Sequence, residues 1–502
     1  MALTELVTRA QLGVDAPEVR VEVHISNGLP AFTIVGLPET AVREARDRVR
    51  SAIINSGFEF PPRRITVNLA PADLPKVGGR FDLPIALAIL IASGQVSGEG
   101  LAATASFGEL ALGGECRRVD GLLPALVACR NNAQHAIVPV ANRDEARLLR
   151  GVQVKTAGSL AEVCNHLNGG ESLPLAGERD NSIAPAEFEV DLADVYGQPL
   201  ARRALELAAA GGHHLLMMGP PGTGKSMLAQ RLITILPPMS DEEAMVSASI
   251  HSVGLVEFGH RNWRRRPFRA PHHTVSGVAL AGGGRHPRPG EISLAHNGVL
   301  FLDEFAEFNR SAIEVLREPL ETGYIEVSRT AARATFPARF QLVAAMNPCP
   351  GACESIRQCS CSPERLTRYR HKLSAPLLDR IDIQIELPRL RQQQLLDVRR
   401  HRPETSACVR ERVQRARHLQ LARQAKLNAH LDNRALQQHC RLDYAVESRI
   451  VKVMDRLGLS ARGYHKLLRL ARTIADLADG DTIDEGHLYE ALSLRGNNQG
   501  IP

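Results

Sequence analysis

The segment Leu215–Ser226 constrains the fold more than any other. Leu-Leu-Met-Met is followed by Gly219, Pro220, Pro221, Gly222, Thr223, Gly224, Lys225 and Ser226. The run satisfies G-x-x-x-x-G-K-[ST], with an apolar strand before it and a helical stretch, 227–235, after it. Glycines at these positions let backbone N–H groups turn inward around phosphate oxygens. Lys225 is then expected to reach the β and γ phosphates of a nucleotide and Ser226 to ligate Mg²⁺. A glycine- and proline-rich turn before an ordinary helix needs no such context, so the agreement of strand, loop and helix favours the phosphate cradle.

Two further strand ends belong with it. Residues 299–302 are an apolar strand ending in Asp303 and Glu304, about 75 residues after the loop. Asp303 fits a carboxylate that holds Mg²⁺, and Glu304 fits the base that orients an attacking water. Asn347 follows the strand 340–345 and has two readings, a polar group sensing the γ phosphate or a turn residue before Pro348. Short apolar strands alternate with helices over 191–388, which predicts a parallel sheet flanked by helices. Residues 389–502 read as helical, with apolar residues recurring at three and four over 409–426 and 460–478. Residues 1–166 read as mixed α/β, with strands at 19–25 and 65–69 and helices at 43–56 and 84–93. Residues 167–190, rich in Gly, Pro, Ser and charge, read as a linker.

At 502 residues the chain exceeds a single core. The longest clean apolar run, 83–92, is too short to span a bilayer. Nine cysteines and no basic-then-apolar start fit a reducing cytosol, with no membrane partner. Aromatic residues make up only 4 %, so nucleic-acid contacts should rest on arginine and backbone rather than ring stacking.

The segments Arg269–Thr274 (Arg-Ala-Pro-His-His-Thr), Gly290–His296, Ala344–Pro348 and Pro376–Asp382 resemble the magnesium-chelatase-like AAA+ proteins. Ser460–His465 and Arg472–Leu477 resemble their C-terminal domain, so the resemblance covers essentially the whole chain. It implies an α/β multidomain protein: a Lon-peptidase-like N-terminal α/β domain (1–166), a linker (167–190), an AAA+ P-loop core (191–388) and a C-terminal helical lid (389–502). It also assigns roles. Asn347 resembles the sensor-1 polar group, Arg380 the arginine finger supplied to a neighbouring subunit's ATP, and Arg462 the sensor-2 arginine of the lid. Guanidinium groups match the charge that develops on a transferring phosphate. A finger acting in trans implies an assembly, which the resemblance makes a hexameric ring using ATP and Mg²⁺.

Residues 258–290 hold seven arginines, four histidines and no acid, a footprint suited to a phosphate backbone. Residues 324–340 read as a β-hairpin with Arg329, Arg333 and Arg339. Arg269, Arg285, Arg329 and Arg333 are the candidate DNA contacts, of a kind that grips backbone and carries no sequence information. Residues 389–426 carry eleven Lys or Arg against three acids, read as a solvated helix face ahead of DNA contact. Cys349, Cys353, Cys359 and Cys361 fall within thirteen residues. They read either as a structural Zn²⁺ site or as a loop of reduced cysteines, since the spacing departs from paired C-x₂-C.

Lys76–Asp82 and Phe107–Gly114 resemble the Lon peptidase domain. Arg80 and Leu123 occupy the positions of its serine and lysine, so neither can act as nucleophile or base. The leading expectation is an ATP-driven hexameric helicase acting on forked or branched DNA. By resemblance to the competence-associated branch of the family, it would promote branch migration during integration of transforming DNA. Cooperation with a recombinase is left open. The alternatives are a metal-chelatase motor subunit and an ATP-dependent protein-remodelling or protease-related factor.

Overall fold

The computed structural model describes residues 2–36, 40–178, 188–256, 262–328, 333–353, 359–389, 403–444, 446–450 and 460–495. The N-terminal strands are β1 (Ala2–Arg9), β2 (Glu18–Ser26), β3 (Ala31–Val35), β4 (Arg64–Ala70), β5 (Thr104–Ser106), β6 (Glu109–Leu110), β7 (Cys116–Arg117), β8 (His135–Pro139) and β9 (Val154–Ala157). Seven of them form a mixed sheet in the order β3-β4-β2-β1-β5-β8-β9, and β6 and β7 pair separately. Alternation sets which face is buried: Val19, Val21, Val23 and Ile25 of β2 point inward with Ile65, Val67 and Leu69 of β4. Helix Asp82–Ala92 covers that face and is buried along nearly its whole length. Its one charge, Asp82, is held by Arg48 at 2.8 Å and by the Leu110 amide at 3.3 Å. Burial nevertheless pushes that carboxyl up to about 6.

Residues expected to begin the linker extend this domain instead. Leu175 bridges to Lys155 of β9, and Leu173 and Ala176 are buried against it. The apolar residues outweigh the local Gly/Pro/Ser composition. Residues 179–187 lie outside the described residues.

The second sheet is built from β10 (Leu215–Met218), β11 (Phe268–Arg269), β14 (Val299–Leu302), β17 (Gln341–Met346) and β18 (Ile383–Glu386), in the order β11-β14-β17-β10-β18. All its pairings are parallel. Strands β10, β14 and β17 are buried at every position, as strands covered on both faces must be. Two small hairpins flank this core: β12–β13 (Gly282–Gly283 with Arg288–Pro289) and β15–β16 (Tyr324–Ser328 with Arg333–Pro337).

The C-terminal region is helical. Helix Ser406–Gln424 lies against helices Pro199–Gly211 and Lys225–Ile235, and Ala461–Leu477 packs on it. Arg410, Arg412, Arg417 and Arg423 of Ser406–Gln424 turn toward protein partners, and only Arg415 stays on the expected solvated face, 65 % exposed. Arg412 pairs with Glu206 and Glu404, Arg417 donates to the Ala209 carbonyl, and Arg423 pairs with Asp476. A buried ionic cluster joins lid to core: Lys466 of the lid helix lies 3.0 Å from Asp382, which also faces His213 at 3.5 Å. Residues 390–402, which include part of the expected basic segment, lie outside the described residues.

Candidate nucleotide site

Parallel strands put all their C-terminal ends on one edge, where α/β sheets place ligand loops. The ends of the adjacent strands β14, β17 and β10 carry Asp303, Asn347 and the Gly219–Ser226 loop. Gly222 and Gly224 have φ of 79° and 86°, a region that side-chain-bearing residues avoid, which is why this loop needs glycine. Helix Lys225–Ile235 starts immediately after it.

The Lys225 ammonium donates to the Gly219 and Pro220 carbonyls at 2.7 and 3.0 Å and to Asn347 Oδ1 at 3.2 Å. It thus ties the phosphate loop to the end of β17. Desolvation lowers its pKa, opposed by Asp303 and Glu304. Ser226 Oγ donates to Asp303 Oδ2 at 2.5 Å, so a hydroxyl and a carboxylate converge as an oxygen-seeking Mg²⁺ requires. Glu304 adopts φ 52°, an uncommon conformation for a residue with a side chain, and its carboxylate lies 3.1 Å from His273 Nδ1. His273 stacks against His272 and meets the edge of Phe308. Tyr369 donates to the Asn347 carbonyl at 3.0 Å, bracing the residue from behind.

The arginines assigned by resemblance lie together elsewhere. Arg380 donates to the Pro376 carbonyl and to Glu321, and Arg462 reaches the same Glu321 carboxylate at 3.6 Å. One acid therefore holds both. Sequence reading missed three residues here: His273, Tyr369 and Glu321. His273 lay within the recognised Arg269–Thr274 segment, but only proximity to Glu304 gives it a role. Nothing in sequence separation links Tyr369 to Asn347 or Glu321 to Arg462.

The basic insert is less cationic than its composition. Arg264 and Arg266 donate to backbone carbonyls, and Arg266 also pairs with Glu243. Arg269 makes a two-point pair with Glu291, both contacts at 2.7 Å, so its charge is neutralised within the core. Arg285 and Arg288 remain exposed on the β12–β13 hairpin. Arg333 is exposed where β16 begins and pairs with Glu326 across the hairpin. Arg329 lies outside the described residues.

Cys349, Cys353, Cys359 and Cys361 bring their sulfurs within 4.8 Å of one another just past Asn347. Cys349 and Cys361 Sγ are 3.8 Å apart, the separation that two ligands on a tetrahedral Zn²⁺ would have, about 3.8 Å for Zn–S near 2.3 Å. The Cys353 and Cys361 amides donate to sulfur, of Cys349 and Cys359 respectively. Gly351 is required here, because a Cβ would come within 2.6 Å of Cys361 Sγ. The donor set fits zinc. All nine cysteines are free thiols.

Three family models match along the chain: magnesium chelatase subunit ChlI over residues 191–395, subunit ChlI of Mg-chelatase over 21–142, and the ChlI C-terminal region over 403–495. Competence protein ComM of Haemophilus influenzae is 49 % identical over 498 residues, covering 99 % of this chain and 98 % of its own. The YifB protein of Salmonella typhimurium is 50 % identical over 497 residues, covering 99 % and 97 %. More distantly, the maternal DNA replication licensing factor mcm6 of Xenopus tropicalis is 25 % identical over 215 residues, 41 % of this chain and 25 % of its own. With the site geometry, the three matches and these full-length relatives, the chain belongs to the ComM/YifB family of magnesium-chelatase-like AAA+ proteins.

Proposed function

We propose that this chain is an ATP-driven motor that works as a hexameric ring in the cytosol and moves branched DNA. The reading of ATP hydrolysis rests on one observation above all, the meeting of Lys225, Ser226, Asp303, Glu304 and Asn347 at three adjacent strand ends. Lys225 exchanges its carbonyl partners for phosphate oxygens when nucleotide enters. Mg²⁺, held through Ser226 and Asp303, supplies neutralisation of charge on the phosphates. Glu304 aligns the attacking water and Asn347 registers the γ phosphate through its contact with Lys225. Arg380, and Arg462 beside it, serve a neighbour's nucleotide. Cys349, Cys353, Cys359 and Cys361 would hold a zinc ion that would fix the loop following Asn347.

The DNA track is supported by the exposed Arg285, Arg288 and Arg333 on the two hairpins, and by relatives named for competence and for DNA replication licensing. Backbone contacts of this type give weak sequence preference and strong salt dependence. The substrate class is a forked or four-way junction, as integration of transforming DNA would present. A metal-chelatase motor is the second reading, favoured by the names of the matching models.

ATP-dependent branch migration on four-way DNA tests this, with Lys225→Ala and Glu304→Gln as controls. The expected result is strand movement that both substitutions abolish. An active ATPase that neither responds to DNA nor moves a junction would falsify the DNA reading and leave the chelatase reading standing.

A further inference from the structure

Between the N-terminal domain and the β12–β13 hairpin lies a cavity of about 220 Å³. One wall comes from the loops around Gln11, Gly79 and Arg118, and the other from Val253 and the turn 285–288. Four arginines line it, Arg80, Arg118, Arg285 and Arg288, together with His286; the acids are Glu109 and Asp120. Glu109 is already engaged, 3.8 Å from Arg117. Arg118, Arg285 and Arg288 are exposed and pair with no carboxylate among the described residues.

Arg80 is the unusual member. It is 4 % exposed, and its Nη2 donates to Gln11 Oε1 at 2.8 Å and to the Asp120 carbonyl at 2.6 Å. Its Nη1 is buried with no hydrogen-bond partner. A buried guanidinium with an idle donor is costly, and burial lowers its pKa to about 10. Nη1 is itself enclosed, so an anion in the cleft would offset the buried charge of Arg80 through space, while the exposed arginines make the direct contacts.

We propose that this interdomain cleft is a binding site for a phosphate group, gripped by arginines from both the N-terminal domain and the insert. A single carboxylate offers too little charge and too few oxygens for four guanidinium groups, whereas a phosphate satisfies several forks at once. The phosphate comes either from a free compound or from a nucleic-acid backbone. Either way, its occupancy fastens the N-terminal domain to the hairpin carrying Arg285 and Arg288. The site stands apart from the P-loop and does not depend on the motor reading.

The test uses full-length protein carrying Lys225→Ala, which weakens competing binding at the P-loop. It is titrated calorimetrically with inorganic tripolyphosphate and, separately, with a thymidine oligonucleotide. Arg118→Ala and Arg288→Ala, both at exposed positions, are added singly, with melting temperature checked to confirm folding. Each is expected to weaken binding by about ten-fold, the loss of one charge-assisted contact. Weakening of tripolyphosphate binding identifies a free phosphate compound as sufficient. Weakening by both variants but confined to the oligonucleotide identifies the backbone, whereas weakening by Arg288→Ala without Arg118→Ala reports a lone hairpin contact and overturns the cleft. Binding of both ligands unchanged in both variants, or no binding of either, overturns the proposal. Failure of junction movement alone would leave the tripolyphosphate result intact, so the two readings fail separately.

Discussion

Glu304 and His273 meet at 3.1 Å, and under the proposed role of Glu304 in aligning water that contact restrains its carboxylate. His273 sits at the stem of the insert that ends in the β12–β13 hairpin, so force on the hairpin has a short route to the base. His273→Ala should raise ATP turnover without DNA by about two- to five-fold, the release of one polar contact of ~0.5–1 kcal/mol. It should also shrink stimulation by DNA. Steady-state ATPase assays with and without DNA decide this, and an unchanged ratio would count against it. Two other histidines act on stability. His296 is buried and His214 partly so, and desolvation chiefly lowers the pKa of each to about 4. Their Nδ1 atoms accept the Leu342 and Arg339 amides at 3.0 Å, which only the neutral ring can do. The folded pKa lies below the unfolded value near 6.5, so the unfolded chain takes the proton first. Stability is therefore full above pH 6.5 and falls as pH drops toward 4, by on the order of 3 kcal/mol for each ring. Melting temperatures between pH 7.5 and 5 should decline, and His296→Gln should flatten the decline. Nothing in the sequence marks these two histidines, because burial and amide partners are properties of the folded neighbours.

At the scale of elements, the phosphate loop was legible because strand, glycines, lysine and helix are consecutive. The same holds for β14 and β17, whose apolar runs end in Asp303–Glu304 and Asn347. The two-residue β11 and the four-residue β18 were not foreseen, since so few residues carry no period and their pairing is entirely between distant segments. The basic helix Ser406–Gln424 was expected to face solvent. It faces the core because carbonyls and carboxylates of helix Pro199–Gly211 satisfy its arginines. The cysteine loop is an element whose conformation a metal would lock. Hydrogen bonding by Ser360 lowers Cys353 to about 6, so it supplies a thiolate at neutral pH. Elemental analysis should find close to one zinc per chain. Cys361→Ser should reduce that occupancy and lower the melting temperature by several degrees, roughly what loss of 1–2 kcal/mol gives. Zinc-free protein with the same stability as the parent would dismiss the metal.

At the scale of the molecule, the N-terminal domain is docked onto the AAA+ core. Leu123 and Leu148 pack with Met239, Ala244, Ala248 and Trp263, and Ser252 bonds Glu145 across the boundary. Gly13 abuts Ala334 and Phe336, so the domain also braces the β15–β16 hairpin. Among the described residues no helix is long and apolar enough to cross a membrane. Arg380 and Arg462, clustered on Glu321, supply an assembly-level prediction. If they complete a neighbour's site, Arg380→Ala and Lys225→Ala subunits are each inactive alone yet regain ATPase activity when mixed. Each then contributes the half that the other lacks, and mixtures as inactive as their components would exclude a shared site. What the sequence determined by itself was whatever short range can encode. The phosphate loop, the strand-end carboxylates and the alternation of strands are contiguous, so their chemistry and spacing could be read directly. Tertiary structure alone decided which charges are spent. Arg269 is cancelled by Glu291, the lid arginines are absorbed by helix carbonyls, and Arg80 is left buried with an idle donor. Each outcome depends on partners tens to hundreds of residues away, which only folding brings within a few ångströms.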